Sequence, residues 1–588
     1  MINTYKFNYP DIQTKTFIKI SVIHYTDKRG NMLKLTGNAK QVLNRFVARN
    51  KEGKVIESAE GMFSRIAKNI AKEDKKYSQN PAKSEKDFYD AMISLEFLPN
   101  VPVLANAGRS LQQLAACFVI PVPDSLDGIF QALKEMAIIQ KTGGGTGFSF
   151  SMLRPEGSIV RETGGIASGP VSFMHVFDCA TGAIKEGGIR RGANMGILNI
   201  EHPDIEKFIT CKDQGSLANF NISVGITEEF MHAVKRNKLF HLKFNNKAYK
   251  TLSAKKLFDM ITEHAWLTGD PGILFIDEIN KYNPTPVLGK IETTNPCGEQ
   301  PLLPYESCIL GSINLAKITE GRCINYQKLE YLVNLAVHFL DNCIDASSYP
   351  IPEIEKIVKA NRKIGLGVMG FADMLIKLNI PYNSEQAVQL AEQIMNFVQQ
   401  KAHKASSSLA EARGVFPNFN KSIWKNKHKM RNATCTTIAP TGTIGIIADC
   451  SQGIEPLFGV AYTRYTHFGT LKEINPLFQE TAKKYKLSKT DINKVYETGS
   501  VKGTSLPQQI KNLFVNAHEI SFEDHIKIQA AFQKYTDNAV SKTVNLPEHA
   551  SVEDVKKTFL LAYRLGCKGL TIYRHKSKPV QVLTFGKK

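Results

Sequence analysis

From Leu98 onward the chain repeats one texture: a short apolar run, a glycine-rich turn, then a stretch whose apolar residues have helical spacing. The runs fall at 116–122, 147–152, 196–200, 220–224, 272–276, 434–438 and 569–573. Short apolar runs bounded by turn residues read as strands buried on both faces. Strands of that kind, alternating with amphipathic helices, imply a sheet covered by helices, so the expected class is α/β. The first 95 residues look different and read as mainly helical. Val42, Leu43, Phe46 and Val47 share one face, a turn follows at 50–53, and Met62, Phe63, Ile66 and Ile70 share the next. The expected division is therefore a helical region over 1–95 and a catalytic domain over 96–588, with the polar stretch 485–515 as a surface insertion.

A chain of 588 residues with 43% apolar content can bury a large core without disulfides. No stretch approaches the roughly 18 apolar residues of a membrane span, and the N-terminus lacks the apolar centre of a signal peptide. A soluble, cytoplasmic protein with no membrane partner is expected. The net charge of +20 is spread along the chain rather than gathered into an arm. It reads as a lysine-rich surface with an attraction for nucleotide phosphates, not as a nucleic-acid interface. Ten cysteines are present, with no CxxC and no zinc-ligand spacing, so no metal centre is expected. In a reducing compartment each is by default a buried, free thiol.

Four segments carry chemistry. Lys141–Gly147 (KTGGGTG) is a phosphate cradle or a tight turn. Gly169-Pro170 opens a helix carrying Asp178 that runs to Gly187-Gly188, and a loop with Arg190 and Arg191 follows, suited to a phosphorylated or purine ligand. The segment 437–445 reads as strand, Gly/Thr turn and helix. Its N–H groups and the hydroxyls of Thr441 and Thr443 make an anion site without lysine. In 294–301, Pro296 and Gly298 bracket Cys297 and forbid a regular helix. Asn295, Cys297 and Glu299, at i, i+2 and i+4, converge if the loop is tight. A carboxylate neighbour raises a thiol pKa, which disfavours a thiolate nucleophile and suits hydrogen-atom chemistry on a neutral S–H. Cys308 follows eleven residues later. At this level both functional and structural roles remain open for these cysteines.

Seven motifs, in order, resemble ribonucleotide reductase of the coenzyme B12-dependent class II type: LPNVPVLANAGR with Cys117 after it, KTGGGTGFSFSMLRP, SGPVSFMHVFD, GGIRRGANMGILNIEHPDIEKF, NPCGEQPLLPYESCILGSINLA, APTGTIGIIADCSQGIEP and LGCKGLTIYR. The resemblance implies a ten-stranded α/β barrel of two five-stranded halves with a central finger loop, a buried hairpin carrying Cys297 at its tip. It implies that Cys297 is the transient thiyl radical, Glu299 the general base on the ribose 3′-hydroxyl, and Asn295 a substrate hydrogen-bonder. Cys117 and Cys308 would be the pair that ends as a disulfide. Pro440, Thr441, Gly442, Thr443 and Ile444 would bind substrate phosphates, and Ala116 would touch the nucleotide through its backbone. At a homodimer interface a deoxynucleoside triphosphate effector would sit near Asp178, Arg190 and Arg191, coupled to substrate choice.

Two adjacent C-terminal tyrosines and a glycyl-radical segment, marks of the other classes, are missing, so adenosylcobalamin is the implied cofactor. Ribonucleoside diphosphates are the expected substrates. No cysteine follows Cys567, so either the sequence is part of a longer chain or an external thiol reductant such as thioredoxin or a small dithiol is expected to restore the pair. The N-terminal hundred residues do not resemble an ATP-cone, so no global inhibition through one is expected. The remaining seven cysteines read as structural. Rival readings are a class I-like catalytic chain needing a radical-generating subunit and a non-catalytic nucleotide-sensing paralogue.

Overall fold

The structure, a computed structural model, describes residues 23–26, 32–160, 164–186, 190–213, 215–466, 469–578 and 583–586. Five strands run parallel as neighbours: β1 (Cys117–Val119), β2 (Gly145–Ser149), β3 (Asn194–Asn199), β4 (Phe220–Ile226) and β5 (Gly272–Phe275). A second parallel set begins with β6 (Ser307–Asn314) and β7 (Ile364–Met369) and ends with β8 (Thr543–Leu546) and β9 (Gly569–Arg574). Its middle member is the extended segment 434–438. This segment bridges β7 at Leu366↔Thr436 and the lead-in to β8 at Ile438↔Val540, both in parallel. The two sets meet antiparallel twice, at β1–β6 and at β5–β9. The result is a closed ring of ten members in two five-stranded halves, so the barrel expected from the sequence is present. Phe97–Pro99 adds an antiparallel strand outside the ring on β6.

The run 434–438 forms single bridges rather than the regular strand expected, because each neighbour supplies only part of its hydrogen bonds. Leu366 N–H donates to Cys435, and Ser541 N–H donates to Ile438. Every residue of β6 and of β7 is buried, as parallel strands covered on both faces require. The helices Tyr326–Ala346 and Glu385–Arg413 pack against each other outside the barrel. The second is started by the Ser384 hydroxyl, which accepts from Ala387 N–H. In the N-terminal region the helices are Gly37–Leu43, Ala59–Ala71 and Pro81–Ile93. Met62, Phe63, Ile66 and Ile70 join the same core as the barrel wall. Within 485–515, Val495, Val501, Leu506 and Phe514 are buried, so this stretch is folded onto the core rather than a solvated insertion. Among the described residues no helix is long and apolar enough to cross a membrane.

Between β5 and β6 the chain makes the hairpin that organises everything else. Thr293–Thr294 pairs with Pro301–Leu302, and the turn between them carries Cys297. The hairpin runs hard against β2. A Cβ on Gly147 would stand 1.8 Å from the Thr294 carbonyl oxygen, and one on Gly145 would stand 3.0 Å from Pro296 Cγ. The glycines that suggested a phosphate cradle are thus the groove in which the hairpin lies. Gly298, at φ +83°, closes the turn in a conformation only glycine adopts freely.

Candidate active site

The turn is held in place from both sides. Gly298 N–H donates to the Asn295 carbonyl at 3.1 Å, and Gln300 N–H donates to the Asn295 side-chain oxygen at 2.9 Å. Asn221, on β4, donates its amide to the Pro296 carbonyl at 2.8 Å. On the opposite side, the Glu299 carbonyl accepts from the Thr437 hydroxyl at 2.8 Å and from Ala539 N–H at 3.0 Å. Both halves of the barrel therefore fix the backbone that carries Asn295, Cys297 and Glu299.

Asn295 is buried and its side-chain amide lies 3.1 Å from the Cys117 sulfur. Cys117 and Cys308 are register partners across the antiparallel β1–β6 junction. Directly opposed residues have Cβ atoms about 4.5–5.5 Å apart, close to disulfide range. Neither cysteine is in a disulfide; both are buried and packed with Ala116, Leu310 and Ala439 in one small cluster. Burial pushes the Cys308 thiol well above its ordinary pKa; Lys363 pulls it back, while Glu299 and Glu306 push it further up. Cys308 is thus a neutral thiol at physiological pH, suited to giving hydrogen atoms and electrons rather than to standing as a thiolate. The Glu299 carboxyl, itself buried, lies within electrostatic reach of Cys308.

Cys297 differs from the expectation of a buried tip. It is exposed, but the space it faces is a cavity of about 680 Å³. Asn221, Ser223, Thr571 and Tyr573 line one side of this cavity, and Pro440, Gly445 and Gln452 line another. A tip that must meet a sugar has to face open space, and the hairpin supplies this by projecting beyond its own buried base. The volume lies in the range of small-molecule sites.

The anion turn sits on this cavity through Pro440, with Gly445 and Ile446 next along the short Gly442–Ala448 helix. Thr441 stands before the helix at φ +52°, and its hydroxyl accepts from Gly453 N–H at 2.7 Å. That oxygen is therefore engaged with its own chain and has its proton left to give, whereas Thr443 is only partly covered. Gly442 is partly covered and Ile444 is buried. Ala116 N–H donates to the Cys308 carbonyl at 3.3 Å, so this backbone donor builds the wall instead of facing a ligand.

The helix bearing Asp178 is Gly169–Ala183 and stops short of Gly187-Gly188, of which nothing is described. Asp178 is partly buried, and its carboxylate accepts from Asn219 N–H at 2.8 Å. Arg190–Arg191 forms a two-residue strand paired with Lys185–Glu186 where a loop was expected; its side chains lie outside the described residues. Of the seven other cysteines, Cys343, Cys435 and Cys567 are buried as expected, whereas Cys179 and Cys323 are exposed. Among the described residues, one His/Cys/Asp group has ligand-like spacing: His403, Cys435 and Asp537. Asp537 is already engaged by His403, by Gln399 and by the Cys435 N–H, which gives it a structural use.

Sequence reasoning missed Lys363, Glu306, Thr437 and Asn221. Glu306 carried a signal, being two residues before Cys308 and so on the same face of an extended strand. The others act across strand pairings that local pattern does not reveal.

The fold and site define an α/β barrel enzyme with a thiol-tipped hairpin at its centre and two facing thiols in its wall. Residues 115–573 match the family model described as ribonucleotide reductase, barrel domain, and residues 33–112 the one described as ribonucleotide reductase, all-alpha domain. The chain belongs to the ribonucleotide reductase family. It is 45% identical to a vitamin B12-dependent ribonucleoside-diphosphate reductase of Thermoplasma acidophilum, over 98% of this chain and 85% of that one. A protein of the same description from Mycobacterium tuberculosis is 45% identical over 94% of this chain and 80% of its own. The solved class Id ribonucleotide reductase alpha subunit of Actinobacillus ureae shares the fold, with a TM-score of 0.76 at 23% identity, over 92% of this chain and 97% of that one.

Proposed function

We propose that this chain reduces ribonucleoside diphosphates to 2′-deoxyribonucleotides by thiyl-radical chemistry, with adenosylcobalamin as its radical source. The observation that carries the reading is the convergence of three thiols from distant segments: Cys297 at the cavity, two residues from Asn295, whose amide lies 3.1 Å from the Cys117 sulfur, and Cys308 opposite Cys117. The B12-dependence of the two 45%-identical relatives supports the choice of cofactor. Of such a group the cavity before Cys297 can take the adenosyl part, which Ser223, Asn545, Thr571 and Tyr573 would hold. When bound, it supplies a carbon radical by homolysis of its cobalt–carbon bond.

The protein's own residues do the rest. Cys297, as thiyl radical, takes the hydrogen from ribose C3′, and Glu299 accepts the 3′-hydroxyl proton. Asn295 orients the sugar while holding Cys117. The 2′-hydroxyl takes one thiol proton and leaves as water, and Cys117 and Cys308, having supplied two electrons and the second proton to C2′, become a disulfide. Cys297 then returns the hydrogen to C3′. Substrate phosphates lie at the turn Pro440–Ile444, bound by helix-start N–H groups and the hydroxyl of Thr443. A deoxynucleoside triphosphate effector binds near Asp178, Arg190 and Arg191 at a homodimer interface built on the Gly169–Ala183 helix. An external dithiol protein such as thioredoxin re-reduces the pair.

The test mixes purified protein with adenosylcobalamin, a ribonucleoside diphosphate, an effector and dithiothreitol, and assays deoxynucleotide. Product in the wild type, and none from Cys297→Ser with nucleotide binding retained, is the expected result. No product from the wild type, or near-wild-type rates from the Cys297 variant, refutes the reading.

A further inference from the structure

Lys363 and Glu306 form an ion pair that the barrel wall buries completely. Their charged atoms lie 2.6 Å apart, and the side chains are 1% and 2% exposed. Burying an ion pair costs desolvation that its attraction barely returns, so stability is a weak reason for its presence. The pair is fully engaged: Glu306 also accepts from Asn361 at 2.6 Å and from Leu303 N–H at 2.7 Å. Its place in the sheet is informative. The parallel β6–β7 register pairs Ile309 with Ile364, which sets Lys363 one step back, opposite Cys308. The antiparallel β1–β6 register sets Cys117 opposite Cys308 on its other side. Lys363, Cys308 and Cys117 thus form one row across three adjacent strands, about 4.8 Å apart at each step.

We propose that Lys363 is a positioning residue for the thiol pair, its ammonium stabilising the Cys308 sulfur as the leaving thiolate each time the Cys117–Cys308 disulfide is re-reduced. This rests on the redox role proposed above for the pair. One thiolate of an external dithiol attacks the Cys117 sulfur and forms a mixed disulfide. The electron pair of the broken S–S bond goes to the Cys308 sulfur, which leaves as a thiolate and takes up the proton that the first thiol had lost. The second thiol of the reductant then attacks its own sulfur in the mixed disulfide. Cys117 leaves as a thiolate and is protonated in turn. One dithiol becomes a disulfide, and two thiols are restored.

A buried thiolate is expensive, and disulfide exchange speeds up as the leaving thiol becomes more acidic. The charged groups acting on Cys308 are Lys363 from just before β7, Glu306 from just before its own strand β6 and Glu299 from the hairpin, with Cys117 facing it from β1. Lys363 is the single cation among them. Glu306 acts the other way, its carboxylate setting an opposing field on the sulfur.

The two members of the pair therefore have opposite effects on one rate, which a purely structural salt bridge cannot produce. The experiment oxidises the full-length enzyme with diamide and verifies the Cys117–Cys308 disulfide by peptide mass spectrometry. It then follows reduction by dithiothreitol, without nucleotide, from pH 6 to 9. If the wild type forms no such disulfide, the proposed redox role fails, and not merely the part given to Lys363. With the disulfide in hand, Lys363→Met slows reduction about tenfold, Glu306→Gln leaves it equal or faster, and Lys363→Arg restores most of the rate. Slowing by both Lys363→Met and Glu306→Gln, or no change in Lys363→Met, overturns the proposal. If Lys363→Met does not fold, the near-isosteric Glu306→Gln decides: a slower rate overturns the proposal, and an equal or faster one supports it.

Discussion

The close approach of the hairpin to β2 makes Gly147→Ala a decisive perturbation. The added methyl would stand 1.8 Å from the Thr294 carbonyl oxygen, whereas ordinary contact begins at 3.4 Å. The deficit of about 1.6 Å must be met by moving backbone, because the opposing atom belongs to the main chain. Thr294 lies three residues before Cys297, and the turn between them is tied by Asn295 to Gln300 and by Asn221 to Pro296. Displacement at Thr294 therefore passes to the sulfur with little loss. Misplacing a reacting group by about 1 Å can cost roughly 10²-fold in rate. Overpacking of this kind costs about 1–3 kcal/mol in stability, which a barrel of this size can absorb. The expected variant folds, with a modestly lower midpoint of thermal unfolding, and turns over at roughly 1% of the wild-type rate. Gly145→Ala is the graded control. Its methyl would meet Pro296 Cγ at 3.0 Å, a side-chain atom that can give by a few tenths of an ångström, and a loss of no more than about tenfold is expected. The assay is deoxynucleotide formation with cofactor, substrate and dithiothreitol, beside circular dichroism melting. Gly147→Ala with more than about a fifth of wild-type turnover, or with no more loss than Gly145→Ala, would refute the argument that β2 positions the hairpin.

Thr437→Val removes the hydroxyl that binds the Glu299 carbonyl but keeps the shape; turnover should fall about tenfold with substrate KM little changed, and a large rise in KM would place Thr437 in binding instead. Cys308→Ala should still exchange the 3′-hydrogen of substrate with solvent-derived label while forming no deoxynucleotide by a clean reduction, and normal product yield would remove Cys308 from the pair. The partly buried His403–Asp537 pair, 2.9 Å apart, makes a pH prediction. Burial opposes the charge on His403, but the Asp537 carboxylate prevails and holds the imidazole pKa above its usual value. Burial likewise opposes the charge on Asp537, and His403 with the Cys435 N–H keeps its pKa low. The raised histidine contributes stability that is full below its unfolded pKa near 6.5 and lost as pH rises through the folded value. The lowered aspartate contributes stability above its unfolded pKa near 3.9, lost as pH falls through the folded value. His403→Gln should therefore destabilise more at pH 5.5 than at pH 9 in urea melts, and an equal loss at both would contradict the pairing.

The Pro/Gly bracket around Cys297 was legible because turn chemistry is local: proline excludes helix and glycine permits the positive φ that Gly298 adopts. The barrel strands were legible because burial on both faces demands continuous apolar runs, as in β6 and β7. The run 434–438 shows where this stops. Its composition marks it as extended, yet its partial pairing follows from how β7 and the lead-in to β8 happen to flank it. Asp178 was read as an effector-site group from the family resemblance, and Arg190 and Arg191 from that resemblance and from residue type. The structure places the Asp178 carboxylate on Asn219 N–H, a use that no local pattern could indicate.

By itself, the order of residues determined which reactive groups exist and which lie together within a single turn: an amide, a thiol and a carboxylate inside five residues. Only the closed barrel decided which groups from different segments meet. Cys117 and Cys308 stand 191 positions apart (308 − 117) and still face each other, with Lys363 completing their row. The physical reason is that turn geometry is set by a few neighbouring dihedrals. Register across a closed sheet is set by all ten members at once, since a one-residue slip at any junction would turn the whole row to the other face.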